Sequence, residues 1–585
     1  MKGLKAEFRR LGLSLAAVTM ACSGAVAASI PGSPAVASDP VTIGFAAPVF
    51  VDPAKAGGEP LVAYSAVGND LIYTSHEGTT HIDRSFAPGL VSTAGFVCPN
   101  PSRVPPECYS NHVWIWTSKD HGKTWQSSDL SPAFTGFSDP DLTFDEAGNV
   151  YNAGIDLVNQ SLFGSSDGGH NWVGTTNCHE GDRPWLAGGR AGEVYLATDA
   201  ATGPGNSLNG GHVIFRGVFA GGALSCPNQP VFGGVQDFGA YRGGTFSGFN
   251  KLYYDHLDPT GALIEPAVFT HPDNSTGIGI SVLRNPAAAF SGGSGTFVPQ
   301  ELFSPTSVVS PFGAPSIALD SAENIYVAWD SNDRVPNSTG GCSMAQTPAP
   351  NHIKLITGRH TGPPGANSWA FSGPVDIASP VNGRVQWPWV QAGSAGRVSV
   401  VWYALDKLTD PDCDQLNGVT QNPNTRIMSA TILNATDPAT RQVLTADAAG
   451  RPIHQGGICN SGTACVATGQ DRRLGDFFTN AVDEHGCVMI ASGDTTQPDP
   501  VNQAGRITSL PIFLQQNRGP SLTGEDCGAV RSTASTSAGA PSTSSRRGTP
   551  NTGTAVPNLV VGLGAGLLVA ALAVAGIARR GRQPI

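Results

Sequence analysis

One pattern of apolar and polar positions recurs along residues 40–520 of this chain. It opens with proline, continues as a short apolar run, turns at a glycine or an acidic group, and returns as a second apolar run. Copies open at Pro60, Pro140, Pro184, Pro315 and Pro388. A copy from Phe477 lacks the proline, and a weaker copy lies within 230–300, around 249–255.

Each copy predicts a β-hairpin. The turn residues, as in Asp145 and Gly148, suit this role because aspartate can accept hydrogen bonds from the turn backbone and glycine tolerates positive φ. Proline at the start of a strand removes no donor that the ladder needs. Strands such as IYVAW are apolar on both faces, which predicts sheets stacked between other sheets. A third strand often follows, as in HVWIWTS and HIKLITG.

Small antiparallel sheets repeated at irregular spacings of about 40 to 90 residues predict an all-β fold, a β-propeller. The copies count to six or seven blades, and seven is favoured. The alternative is a pair of β-sandwich domains, which would not repeat one sequence pattern so closely.

An eight-residue pattern, S-x-D-x-G-x-x-W, occurs twice where a third strand should turn into a fourth. SKDHGKTW contributes Ser118, Asp120, Gly122 and Trp125, and SSDGGHNW contributes Ser165, Asp167, Gly169 and Trp172. The pattern resembles the Asp-box, or BNR repeat, of sialidase-like propellers. Its expected role is structural: the serine and aspartate bond the turn backbone, and the tryptophan is largely buried beneath the turn.

The two ends of the chain predict export and anchoring. A basic start followed by an apolar run indicates a signal peptide, 1–27, cut after Ala27 or, alternatively, after Ala37. Residues 528–557 are rich in Ser, Thr and Ala and predict a disordered stalk. The uncharged span 558–578 predicts a transmembrane helix, and the basic tail 579–585 places its end in the cytoplasm.

The stalk contains TPNTG, which resembles the LPxTG sorting signal of surface proteins, with Thr549 where that family has leucine. The resemblance implies sortase as a partner and attachment of Thr552 to the cell wall. A chance match in a threonine-rich stalk is the alternative. In either case we expect the propeller to be held at the outer surface of the cell membrane or wall.

Charge and cysteine content narrow the class further. The net charge is −11 and there is no basic stripe, which argues against nucleic acid as a partner. An even number of cysteines beyond Cys22 in an exported chain predicts disulfides. The expected pairs are Cys98–Cys108, Cys178–Cys226, Cys342–Cys413, Cys459–Cys465 and Cys487–Cys527.

Propeller geometry would place the residues before each opening proline at one end of the central channel, where sialidase-like propellers bind ligands. The resemblance implies catalytic candidates at Asp139, Asp182, Arg183, Arg242, Arg384 and Arg473, with the arginines binding a sugar carboxylate. Substrate-binding candidates are Asp141, Trp185, Tyr241, Trp387, Trp389 and Asp476. The alternative for each residue is a structural ion pair or hydrogen bond at the channel wall.

Three functions stay open. The first is a surface propeller that binds glycans or other surface ligands without catalysis. The second is an exo-sialidase or related glycoside hydrolase, although a FRIP-like motif is absent near the N-terminus and no Tyr–Glu pair can be assigned. The third is a structural envelope protein. No cofactor is expected, but Asp410, Asp412 and Asp414 alternate in a way that could hold Ca²⁺. The favoured alternative is a solvated acidic loop, because the glycine of an EF-hand loop is absent.

Overall fold

The computed structural model describes residues 41–76, 81–82, 113–128, 138–156, 159–175, 178, 182–199, 212–228, 231–233, 236–237, 245–248, 251–271, 276–292, 297–304, 315–332, 351–408, 422–459, 465, 470–497 and 507–530. The predicted signal peptide and C-terminal span lie outside these residues, as does the predicted stalk from 531 onward. Among the described residues, no helix is long and apolar enough to cross a membrane.

The described secondary structure is β-strand apart from one short helix, α1 (Pro286–Phe290), and a helical turn at 527–530. The strands of the first half are β1 (Gly44–Phe45), β2 (Val49–Phe50), β3 (Gly58–Ser65), β4 (Asp70–His76), β5 (Val113–Ser118), β6 (Gln126–Ser128), β7 (Ser138–Phe144), β8 (Val150–Asp156), β9 (Asn159–Ser165), β10 (Val173–Thr175), β11 (Asp182–Gly188), β12 (Glu193–Asp199), β13 (His212–Ala220), β14 (Ala223–Ser225), β15 (Val231–Gly233), β16 (Gln236–Asp237) and β17 (Thr245–Gly248). Those of the second half are β18 (Tyr253–Asp255), β19 (Ala262–Thr270), β20 (Thr276–Arg284), β21 (Val298–Phe303), β22 (Ser316–Leu319), β23 (Ile325–Asn332), β24 (Asn351–His360), β25 (Trp369–Ala378), β26 (Arg384–Ala392), β27 (Val398–Leu405), β28 (Asn424–Leu433), β29 (Gln442–Asp447), β30 (His454–Gln455), β31 (Thr479–Val482), β32 (Val488–Asp494) and β33 (Leu510–Arg518).

The strands form seven antiparallel sheets, which are the seven blades of a β-propeller. Blades 1, 2, 3, 5 and 6 follow chain order: β3 to β6, β7 to β10, β11 to β14, β22 to β25 and β26 to β29. In blade 4, β17 and β18 both pair with β19, followed by β20 and β21. Blade 7 runs β31, β32, β33, and its outer strand comes from β1 and β2 at the other end of the described chain. The ring is therefore closed by strands from both ends, which keeps its edges paired.

The inner strands of neighbouring blades pack against one another around the ring, from β3 through β7, β11, β18, β22, β26 and β31 back to β3. They enclose a central cavity of about 340 Å³. Each blade contributes one segment to its lining: 61–64, 142–144, 187–188, 251–254, 316–317, 389–391 and 479–482. Between blades lies the core, in which strands such as β4 and β32 are buried along their whole length. This burial on both faces confirms the prediction of stacked sheets.

The opening prolines occupy equivalent positions on the inner strands, as the repeat predicted. The residue after the proline is Asp141, Trp185, Ser316 or Trp389, and it pairs with the fourth residue of the next strand, or with the fifth in the case of Trp185. In β3, β7, β11 and β26 the ladder register shifts just before this residue, so the proline lies in a β-bulge. A bulge suits proline because the extra residue of a bulge is not paired in the ladder, so the N–H that proline lacks is not needed there.

The turn aspartates bond as predicted. Asp145 Oδ1 accepts hydrogen bonds from the backbone N–H groups of Ala147 (2.9 Å) and Asn149 (3.0 Å). Its other oxygen accepts from the Tyr151 hydroxyl (2.8 Å) and from the N–H of Gly192 in the next blade (2.7 Å). The same side chain therefore shapes its own hairpin and ties two blades together.

In the two S-x-D-x-G-x-x-W turns, the serine and aspartate also bond the backbone. Ser118 Oγ accepts from Gly122 N–H (2.8 Å) and Asp120 Oδ1 from Thr124 N–H (2.8 Å). Trp125 Nε1 donates to Gly122 O (3.1 Å).

The second turn repeats this pattern, with Ser165 accepting from Gly169 (3.1 Å), Asp167 from Asn171 (2.9 Å), and Trp172 donating to Gly169 (2.8 Å). Trp125 and Trp172 are each buried over most of their surface and pack against core residues, which agrees with the expected burial. Each directly precedes the outermost strand of its blade.

Three of the five predicted disulfides are present: Cys178–Cys226, Cys459–Cys465 and Cys487–Cys527. The other two, Cys98–Cys108 and Cys342–Cys413, involve residues outside the described part of the chain. The same holds for the acidic loop with Asp410, Asp412 and Asp414.

Candidate functional site

The residue before the proline has a left-handed backbone in all four bulges. The φ angles are 47° at Glu59, 48° at Asp139, 58° at Arg183 and 55° at Trp387. This region costs an L-residue roughly 1–2 kcal/mol, and packing and hydrogen bonds must hold it there. All four residues lie near the start of an inner strand, at the end of the channel opposite the hairpin turns. We call this end the bulged end.

Glu59 is the hub of the bulged end. Its fully buried carboxylate accepts hydrogen bonds from the backbone N–H of Asp139 (3.1 Å) and of Asp476 (2.9 Å), and from Ser138 Oγ (3.4 Å). The side chain thus joins blades 1, 2 and 7. Gly475 leaves room for it, because a Cβ at that position would come within 2.3 Å of Glu59 Cγ.

Two histidines lie beside this carboxylate. His76 Nε2 is 3.1 Å from Glu59 Oε2, and His81 Nε2 is 3.0 Å from Oε1. Burial alone would raise the pKa of Glu59, but the two imidazoles outweigh it and hold the pKa well below the usual value. Burial lowers the pKa of His81 to about 4. At neutral pH the group is therefore a carboxylate with a neutral imidazole at its side.

The charged residues next to the hub are Arg472, Asp476 and Arg183. Arg472 bonds both carboxylate oxygens of Asp476 through its two terminal nitrogens. Arg183 NH2 lies 3.9 Å from the same carboxylate. The side chain of Arg183 is 25% exposed, whereas that of Arg472 is 5% exposed, so solvent reaches Arg183 far more readily.

Arg473 and Arg384 are both buried, each near an acidic side chain. Arg473 bonds both oxygens of Asp471, through Nε at 3.0 and 3.1 Å and through NH2 at 2.5 Å. Burial raises the pKa of Asp330 to about 6, although nearby Arg384 opposes this shift. The ion pair with Asp471 accounts for Arg473 without a ligand, and the catalytic role of both arginines stays a prediction.

The three candidate tryptophans lie in the core. Trp185, Trp387 and Trp389 are 6%, 4% and 7% exposed. Trp185 and Trp389 both pack on Phe477 of blade 7, with ring centroids 5.1 and 6.0 Å away. A sugar could stack on these rings only after the core had opened, so direct binding by them stays a prediction.

Asp141 lies deeper in the channel than Asp139. It is fully buried, accepts from Leu186 N–H (2.7 Å) and pairs with Lys251 Nζ (2.6 Å). Burial raises its pKa although Lys251 opposes the shift. Asp141 therefore bridges blades 2, 3 and 4 beside the central cavity, which Lys251 helps to line.

Two further candidates, Tyr241 and Arg242, lie outside the described residues, and of Asp182 only the backbone is described. Among the described residues, the tyrosines hydrogen-bonded to a carboxylate are Tyr151, Tyr195 and Tyr326. All three lie near the hairpin turns, where burial and the neighbouring acid raise their pKa, which disfavours a phenolate nucleophile.

Sequence reasoning missed Glu59, His76 and His81. Glu59 stands before Pro60 just as Asp139 stands before Pro140, so the same rule applied to the first copy would have found it. The two histidines carry no comparable signal, because the strand and the loop that hold them show no spacing typical of a site.

Comparisons with known proteins add little beyond the fold. No family model matches this chain, and no curated protein matches it. A polysaccharide lyase of family PL25, an ulvan lyase, is 9% identical with a TM-score of 0.41, covering 80% of this chain and 96% of its own. The GH93 α-L-arabinofuranosidase of Fusarium graminearum is 13% identical with a TM-score of 0.31, covering 81% and 97%.

A mutant Trypanosoma rangeli sialidase with trans-sialidase activity is 8% identical with a TM-score of 0.33, covering 67% of this chain and 55% of the sialidase. Values this low support no inference about activity. The class that fold and geometry define is a seven-bladed β-propeller whose bulged inner strands gather charged residues at one end of the channel.

Proposed function

We propose that this protein is an exported, surface-held propeller that binds a glycan at the bulged end of its channel without cleaving it. The observation that carries the proposal is Arg183, a partly exposed arginine on a strained, left-handed backbone beside the carboxylate of Asp476. Strained residues that the surrounding structure holds in place are typical of binding sites. A guanidinium can bond a sugar carboxylate with two hydrogen bonds, and Asp139 and Asp476 can accept from sugar hydroxyls.

Binding without cleavage fits the described residues better than sialidase chemistry does. Sialidase-type hydrolysis would need several arginines free to converge on one carboxylate and an activated tyrosine. Here Arg472 and Arg473 are each held by an acid of their own blade. The described tyrosines that bond an acid lie at the turns, with raised pKa values.

Glycan-array binding of the full-length protein, purified in detergent, tests the proposal. We expect Arg183→Gln to reduce binding to acidic glycans about tenfold or more, since one charge-assisted bidentate contact contributes about 1.5–3 kcal/mol. Arg190→Gln is the matched control, because Arg190 lies in the same blade at the turn end and pairs with Glu146. Equal binding by wild type and Arg183→Gln, or an equal loss in the control, would contradict the proposal.

A fluorogenic sialoside tests the alternative of exo-sialidase activity. We expect no hydrolysis above a no-protein blank. Hydrolysis that Arg183→Gln abolishes and Arg190→Gln retains would replace the binding proposal with the enzymatic one.

The surface location rests on the sequence of 528–585 and is proposed on the same footing. We expect Thr552→Ala to leave the protein in the membrane fraction and to remove it from the cell-wall fraction, because sortase would join Thr552 to the wall. Full extraction of the wild-type protein by detergent would refute wall attachment while leaving the membrane helix in place.

A further inference from the structure

The Glu59–His76–His81 group has the composition of a metal site. All three side chains are buried, with exposures of 0%, 0% and 2%, and one ligand atom of each lies within 4.8 Å of the others. Glu59 stands in the bulge of β3, His76 ends β4, and His81 follows in the next segment. Gly58, the ladder partner of His76, makes room for the imidazole, because a Cβ there would lie 2.8 Å from Nε2.

We propose that Glu59, His76 and His81 bind a divalent transition-metal ion, with Zn²⁺ as the best match to this donor set. Two neutral imidazoles and one carboxylate are the ligands of many three-ligand zinc sites and of non-haem iron sites. The proposal goes beyond glycan binding and does not depend on it.

The distances within the group suit a metal between its members. Two ligand atoms about 2.0–2.1 Å from one ion stand about 2.9 Å apart at a right angle and about 3.4 Å apart at the tetrahedral angle. Each histidine has one carboxylate oxygen at such a distance: His76 Nε2 is 3.1 Å from Oε2, and His81 Nε2 is 3.0 Å from Oε1. One ligand atom from each of the three residues lies within 4.8 Å of the other two, so the side chains would move closer together to share one ion.

His76 supplies an independent observation. Although its Nε2 lies 3.1 Å from Glu59 Oε2, neither ring nitrogen makes a hydrogen bond of good geometry within the described part of the chain. Leaving a buried polar group unsatisfied costs about 1–3 kcal/mol, so such groups call for an explanation. A lone pair directed at a metal would satisfy Nε2, and a bound ion would remove most of that cost.

Three protein ligands leave a fourth tetrahedral position for water or a ligand oxygen. The ion would stabilise the contacts of Glu59 that join blades 1, 2 and 7 beside Arg183.

Metal analysis of the full-length protein, purified in detergent, tests the site. The protein is incubated with Zn²⁺ and desalted, and its zinc content is measured by mass spectrometry. We expect one zinc per chain in wild type and loss of that zinc in His76→Gln and His81→Gln. His271→Gln is the matched control, because His271 also pairs with a buried glutamate, Glu301 at 2.9 Å, and it should retain the zinc.

Co²⁺ titration of the wild-type protein needs no variant and guards against misfolding of the substituted chains. We expect visible absorption bands of tetrahedral Co²⁺ that saturate at one equivalent and disappear on addition of Zn²⁺. Wild type that retains no zinc and shows no such bands overturns the proposal. Equal zinc content in wild type and in both variants also overturns it, and the group is then a hydrogen-bonded hub alone.

Discussion

The disulfide between Cys487 and Cys527 should be a main source of stability in the closing blade. Cys487 directly precedes β32, and Cys527 follows β33, the strand on which β1 and β2 complete the ring. Replacing both cysteines by serine removes the cross-link without leaving a reactive thiol. The substituted chain can still close the ring, but its unfolded state gains conformational entropy.

The magnitude follows from loop length. In the chain-entropy model a cross-link restricts the unfolded chain in proportion to the logarithm of the loop it closes. The separation of 40 residues between Cys487 and Cys527 corresponds to about 4 kcal/mol, whereas the separation of 6 between Cys459 and Cys465 corresponds to about 2.4 kcal/mol. The two loops do not overlap, so the shorter disulfide is an internal control.

Urea unfolding followed by tryptophan fluorescence measures both effects. We expect the double-serine variant at 487 and 527 to lower the free energy of unfolding by roughly 1.5 kcal/mol more than the variant at 459 and 465. An equal loss, or a larger loss from the short loop, would refute the reasoning. The stabilisation would then arise from packing around the sulfurs, not from restriction of the unfolded chain.

Three further predictions concern single side chains, each measured by urea unfolding. In EDTA, Glu59→Ala should lower the free energy of unfolding by roughly 2–6 kcal/mol, because the N–H groups of Asp139 and Asp476 each lose an acceptor at a cost of about 1–3 kcal/mol. A loss below about 1 kcal/mol would contradict the role of Glu59 in joining the blades. Burial lowers the pKa of His454 to about 4, so the unfolded state binds the proton first on acidification. The contribution of the neutral imidazole to the free energy of unfolding is therefore complete above about pH 6.5 and is lost as pH falls towards 4. We expect His454→Gln to flatten this loss by on the order of 3 kcal/mol, and an unchanged pH profile would refute it. Asp120→Ala should cost about 0.5–1.5 kcal/mol by removing the acceptor for the turn backbone, and full recovery by asparagine would show that geometry, not charge, matters.

Most of the fold could be predicted because its signals are local. Proline has no N–H wherever it stands, so Pro140 and Pro388 mark strand positions that tolerate a missing donor. Asp145 bonds N–H groups two and four residues away, so its turn follows from a short stretch of sequence. Cys459 and Cys465, six residues apart, likewise need little beyond export to predict their bond.

The tertiary structure decided the rest, because it depends on which blades meet. From the sequence alone, Trp389 cannot be distinguished from an exposed aromatic residue. It is a core residue because Phe477 from the next blade packs against it. Closure of blade 7 by β1 joins residues more than four hundred positions apart, which no local pattern records. Glu59 contacts Asp476 across the same seam. A repeat therefore determines each blade through short-range hydrogen bonds, whereas the channel site exists only where separate blades bring their strained first strands together.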